Sequence, residues 1–211
     1  MATQGFYTTI EKSSSAEFKD RGSRFIAFAF PVTTVEDFKK ELQHLKKEHP
    51  KAVHHCFAYR IGIDASPARA GGQGSNFRSS DDGEPSGTAG KPILGQIDSK
   101  GLINVAVIVI RYWGGTLLGV PGLINAYKTA AALSLQITPL VEKQIEVNYS
   151  IEFDYTRMNE VMMIMKQFSC TIHASEMQLF CNILAGIPAN RLDDVLNRLN
   201  DLRNVAVKKT G

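Results

Sequence analysis

The chain has 211 residues, 44% hydrophobic and 21% charged, with a formal net charge of +3 at pH 7. That composition excludes a disordered or low-complexity chain and leaves room for one large domain or two small ones. No apolar run reaches the roughly 18 residues of a membrane helix, MATQGFYTTIEKS lacks a signal pattern, and the three cysteines have no CxxC spacing, so they read as reduced thiols of a cytoplasmic protein.

In chain order, Gly5 to Ile10 and the aromatic-rich Arg24 to Val32 read as strands, joined by a polar connection over residues 12–24. Thr33 and Glu36 have the spacing of a capping box, and Val35, Phe38, Leu42 and Leu45 form one helical stripe that Pro50 ends. Lys39, Lys40, Lys46 and Lys47 lie off that stripe, on a solvated face. Ala52 to Ile63 alternates as a strand, with His54, Cys56 and Ala58 on one face and His55, Phe57 and Tyr59 on the other. The His54–Cys56 pair has no second pair to complete a tetrahedral metal site, so packing is its better explanation. Ala65 to Ser75 is a Gly-rich loop that carries Arg69.

Asn76 to Leu94 is denser in chemistry. Asp81, Asp82 and Glu84 surround Gly83, and a short helix follows, with Pro92 in its first turn and Gly101 beyond its end. The carboxylates suit three roles: capping that helix and holding the glycine loop beside it, coordinating a hard cation or serving as acid and base, or recognising a partner. Leu102 to Ile110 is an almost unbroken apolar run, the pattern of a strand buried on both faces. It ends in Arg111-Tyr112-Trp113. A loop with Gly114, Gly115, Gly119 and Gly122 then leads into a helix over Leu123 to Leu135. Strand, glycine loop and helix start can face an anion, but Val120-Pro121 stands where a nucleotide-triphosphate loop needs Lys-Ser/Thr.

The C-terminal third is simpler. Lys143 to Phe153 alternates, with Ile145, Val147, Tyr149, Ile151 and Phe153 inward. A helix over Tyr155 to Phe168 turns Met158, Val161, Met162, Met165 and Phe168 inward. Strands at Cys170–Ser175 and Met177–Ile187 follow, then a helix opened by Pro188 with Leu192, Val195, Leu196 and Leu199 as its stripe, and a last strand at Asn204–Lys208. The order β-α-β-β-α-β is the ferredoxin-like plan. The fold class is therefore α+β.

Two stretches together carry a family likeness. DDGEPSGTAGKPIL at 81–94, followed by VIRYWGGTLLG at 109–119, resembles the signature of the Impact family, and the whole chain is similar to its bacterial, YigZ-like branch. The resemblance implies an N-terminal domain over 1–138 like the second domain of ribosomal protein S5. It also implies a ferredoxin-like domain over 142–211, like the last domain of the translocating elongation factor. Eukaryotic members of the family regulate translation by competing for the activator of a stress kinase, through an N-terminal domain that this sequence lacks. The motif residues carried over as binding candidates are Asp81, Asp82, Glu84, Ser86, Thr88, Arg111, Tyr112, Trp113, Gly114, Gly115, Thr116, Gly119, Gly122 and Tyr127. Pro121 and Asn125 depart from the family pattern, removing an N–H donor and a positive charge. Trp113 stands where Phe is usual.

Three functions follow as expectations. The first is a non-enzymatic, translation-linked regulator that binds RNA or a ribosome-associated partner. The second is an enzyme on a small phosphorylated or acidic substrate, though no catalytic nucleophile with a base is evident. The third is a protein scaffold. Residues 1–141 hold 16 basic and 12 acidic side chains against 8 and 9 in 142–211, which directs any RNA to the first part. There Arg111, Trp113, the 114–122 loop, Arg69 and Arg78 would form the surface. Glu146 and Glu152 on the first C-terminal strand suit a protein partner instead. Neither a cofactor, a metal ion nor a membrane is called for.

Overall fold

The computed structural model describes residues 5–62 and 76–210, so the 65–75 loop with Arg69 lies outside the described residues. The described residues form two compact units, one of residues 7–62 and 76–143, the other of residues 144–210 together with Gly5 and Phe6.

Along the first part run β1 (Phe6–Ile10), β2 (Ser14–Asp20), β3 (Ser23–Pro31), α1 (Val35–Glu48), β4 (His54–Ile61) and β5 (Asn76–Ser80). Then come α2 (Gly90–Ser99), β6 (Val105–Tyr112), α3 (Gly119–Gln136) and β7 (Leu140–Gln144). Five strands make an antiparallel sheet in the order β2-β3-β6-β4-β5, and β1 with β7 makes a separate two-stranded ribbon. The apolar run is the central strand β6, and Val105 to Ile110 are fully buried. Val105, Val107 and Val109 pack with Cys56 and Ala58 under α2 and α3, while Ala106, Ile108 and Ile110 pack with Phe57 and Tyr59 against α1. Ala126, Ala130 and Ala131 of α3 and Ala27 and Ala29 of β3 are buried in that first cluster, small residues that let helix and sheet approach closely.

Three strands depart from the sequence reading. β2 occupies the supposed polar connection, and β5 precedes the acidic turn. Both are edge strands, where one face or both stay wet and the apolar signal thins to Ala16 and Phe18. The strand read from Lys143 divides at Ile145. Its N–H donates to the Gly5 carbonyl (2.7 Å) and its carbonyl accepts from Ala189 N–H (2.8 Å), so it belongs to neither ladder. The α1 cap sits one residue later than expected: Thr34 accepts from Asp37 N–H at 3.1 Å. α3 begins at Gly119, ahead of Leu123.

The smaller unit runs β8 (Glu146–Asp154), α4 (Met158–Gln167), β9 (Thr171–Met177), β10 (Phe180–Pro188), α5 (Leu192–Asn200) and β11 (Val205–Lys209), with an antiparallel sheet ordered β11-β8-β10-β9. Ile151, Phe153, Ile183, Ala185, Val161, Met165, Val195 and Leu199 fill its core. Met162 is exposed and Ile164 takes the inward position, because the α4 stripe is set by Val161 and Met165 one turn apart. Pro188 closes β10 opposite Glu146 instead of opening the helix, which starts at Leu192. Among the described residues no helix is long and apolar enough to cross a membrane.

Candidate functional site

The end of β6 places Arg111 between Phe25 of β3 and His54 of β4. Its side chain is buried, with the guanidinium carbon 5.5 Å from the Phe25 ring centre. Nη1 donates to Glu84 Oε1 at 2.6 Å, and the Tyr127 hydroxyl of α3 donates to the same oxygen at 2.8 Å. His54 Nδ1 donates to the Asp82 carbonyl at 2.7 Å, which turns Nε2 toward Glu84 Oε1, 3.8 Å away. Cys56 Sγ lies 2.9 Å from the Asp81 carbonyl, to which it donates, and 3.4 Å from Tyr127 Oη. A buried carboxylate is tolerated here because a cation and a hydroxyl share it.

The protonation states follow from burial. Desolvation pushes the Cys56 thiol up to about 12, against a smaller opposing effect of the Tyr127 hydrogen bond, so at neutral pH it stays protonated. Desolvation also raises Tyr127 far above its usual range, reinforced by Cys56 and Glu84, and keeps its hydroxyl a donor. Among the described residues no three His, Cys, Asp or Glu side chains converge as a metal centre.

Asp81 serves α2. Its Oδ2 accepts from Gly87 N–H (2.8 Å) and its Oδ1 from Ala89 (3.0 Å) and Gly90 (2.8 Å). The N-cap residue itself, Ala89, has no side-chain cap, so Asp81 supplies one from eight positions upstream. Desolvation works to raise this carboxyl, but the three N–H donors outweigh it and hold it below the usual carboxylate value. Asp82 (φ +42°) and Gly83 (φ +91°) make the left-handed corner, and Asp82 Oδ2 accepts from His55 N–H at 2.7 Å. Thr88 is buried and donates to the Pro85 carbonyl at 2.7 Å, whereas Ser86 is exposed.

Beyond Arg111 the motif changes character. Tyr112 is half-buried, with its hydroxyl 2.9 Å from His49 Nδ1. Gly114 N–H donates to Ser23 Oγ at 3.1 Å, and a Cβ on Gly114 would stand 1.9 Å from the Gly22 carbonyl carbon, so only glycine fits that approach. Gly115 and Gly119 have positive φ, and a Cβ on Gly122 would stand 3.0 Å from Leu118 Cβ. Leu118 is buried, while Trp113, Gly114, Gly115, Thr116, Leu117 and Val120 face solvent.

The structure thus joins Glu84, Arg111 and Tyr127, and it adds His54 and Cys56. Asp81, Asp82 and Glu84 do not accept from the 114–122 loop; they hold the 87–90 turn, β4 and Arg111 instead. Arg111 is no part of an open binding face, because its guanidinium is buried against Glu84. Arg78 is exposed on β5. Alternation puts His54 on the same face as Cys56 but does not reveal the acids as its neighbours; the β4–β6 register, which sets it opposite Arg111, does.

A buried ion-paired frame holding out a glycine loop, joined to a small β/α unit, defines an α+β protein of two compact units. The model of the Impact N-terminal domain matches residues 21–135. The chain is 32% identical over 179 residues to the IMPACT family member YigZ of Escherichia coli K12, covering 85% of this chain and 84% of that one. A crystal structure described only as that of a hypothetical protein superposes with a TM-score of 0.71 at 27% identity over 98% of both chains. The two-domain translational regulator Yih1 gives a TM-score of 0.38 at 31% identity, over 65% of this chain and 49% of that one. This chain belongs to the Impact family.

Proposed function

We propose that this chain is a translation-linked regulatory protein that acts by binding RNA or another ribosome-associated partner, not by catalysis. One observation carries the reading. Arg111 and Tyr127 spend their hydrogen bonds on Glu84 inside the unit, while the loop that follows β6 turns Trp113, Leu117 and Val120 outward. An acid–base site needs reactive groups open to a substrate; this arrangement leaves a recognition surface. Gly114, Gly115, Thr116, Gly119 and Gly122 shape that surface, and Glu84, Arg111 and Tyr127 tie together the end of β6 and α3 on either side of it; Asp81, Asp82 and Thr88 hold the neighbouring 81–90 turn.

Family membership supports the translational setting, since eukaryotic members regulate translation. We further assign the larger unit to the fold of the second domain of ribosomal protein S5 and the smaller to the ferredoxin-like fold, a reading that the β11-β8-β10-β9 order with two helices supports. Both recur in ribosome binders, which is support by analogy. The test is co-sedimentation of the chain with ribosomes at two salt concentrations, wild type beside Trp113→Ala. Association that weakens in the variant is expected. No association at low salt, or association indifferent to the substitution, overturns the reading.

A further inference from the structure

Resting on that regulatory reading, we propose that the surface formed by Trp113, Leu117, Val120 and Ile124 docks an acidic amphipathic helix of a protein partner. These side chains are 58%, 84%, 51% and 37% exposed. Four large apolar side chains exposed within residues 113–124 are more than singly scattered surface hydrophobes. The loop that carries them is anchored: Gly114 is pressed onto Gly22 and hydrogen-bonded to Ser23, and Leu118 is buried. A partner therefore loses little freedom of this loop on binding.

The spacing and the charge select the occupant. Val120 and Ile124 lie one turn apart on α3, a ridge that fits the groove of a second helix. Lys128 follows one turn later and is exposed. Arg21, at the tip of the β2–β3 hairpin, brings Nη2 to 3.9 Å from where a Gly122 Cβ would stand, and Asp20 approaches its Nε only at 3.8 Å. Residues 99–141 contain no Asp or Glu at all. An apolar ridge rimmed by Arg21 and Lys128, with Asp20 beside Arg21 and no acid on the 99–141 stretch itself, complements a helix with leucines on one face and carboxylates beside them. An RNA strand would leave Leu117, Val120 and Ile124 without apolar partners, and two rim cations are few for an anionic membrane.

Trp113 is the chain's only tryptophan and reports directly on this surface. The full chain is titrated with a synthetic Leu/Ala/Glu helix of about 20 residues, long enough to hold helical structure. The same helix with Lys for Glu, single-stranded RNA and anionic vesicles are run beside it. A saturable blue shift is expected with the acidic helix. Leu117→Ser and Ile124→Ser, at exposed positions, should weaken it roughly tenfold, about 1.4 kcal/mol, with melting temperatures unchanged. Acidic-helix binding indifferent to Leu117→Ser overturns the inference, as does an equal or stronger response to the basic helix, RNA or vesicles. Ribosome co-sedimentation separates the two readings. A chain that sediments with ribosomes but ignores the acidic helix loses only the docking inference; one that binds the helix and ignores ribosomes loses only the regulatory setting.

Discussion

Glu84 and Arg111 stand 27 positions apart in sequence, yet their side chains meet at 2.6 Å in the interior of the larger unit. The carboxylate arrives from a left-handed turn and the guanidinium from the end of the central strand, so the pair ties the acidic motif to the loop that follows β6.

Removing either partner strands a buried charge. Arg111→Ala and Glu84→Gln should each lower unfolding free energy by about 3–5 kcal/mol, measured by urea denaturation. Replacing both, Glu84→Leu with Arg111→Met, should cost less than the sum of the single changes. Additive losses would show that the contact is weaker than its geometry.

Asp81 should matter through α2 and through pH. Asp81→Ala should cost about 1–2 kcal/mol, the upper range for a lost helix cap. The folded carboxyl lies below its ordinary value near 3.8, so its stabilisation is complete above that value and is lost as pH falls through the lower folded value. The stability gap between wild type and Asp81→Asn should therefore be full at pH 7 and narrow below about pH 4. A gap independent of pH would contradict the role assigned to its three N–H donors.

Cysteine reactivity gives a third readout. Burial pushes Cys56 up to about 12 and Cys170 up to about 11, with Glu146 adding to the latter. Iodoacetamide at pH 8, followed by mass spectrometry, should label neither at the rate of an unfolded control, and Cys56 should react only as fast as the unit opens. Native labelling of Cys56 at the control rate would refute the buried, thiol-donating geometry.

Two glycines should respond in opposite directions. Gly114→Ala drives a Cβ into the Gly22 backbone and should destabilise by about 1–3 kcal/mol while shifting the Trp113 emission. Gly95 lies inside α2 with nothing within 4 Å of its added Cβ, so Gly95→Ala should stabilise by about 0.5–1 kcal/mol. Thermal melts of the two variants decide it.

The parts legible in the sequence are those where burial imposes a period. β6 betrayed itself by an unbroken apolar run, β4 by faces that do separate Cys56 from Phe57, and α5 by the stripe through Val195 and Leu199. β2 and β5 did not, because an edge strand needs no second apolar face. Met162 misled for a related reason: two adjacent methionines satisfy several helical registers, and only packing chooses Val161, Ile164 and Met165. In the site, the sequence shows three carboxylates in one motif stretch and Arg111 in the other, opposite charges that can pair. Which acid takes it, and that Tyr127 and His54 gather on the same oxygen, depends on sheet register and helix docking, which no local pattern encodes.

The central strand of the five-stranded sheet is also the last of the five to be synthesised. Until Tyr112 has left the ribosome, β3 and β4 each lack the neighbour they share, since both pair with β6 and not with each other. Of this sheet, only the β2–β3 and β4–β5 pairings are open to the nascent chain at that stage, and wherever they form their free apolar edges invite association with other chains. The larger unit closes only when one long-range insertion satisfies both edges together, a step whose slowness follows from the sequence distance it must bridge.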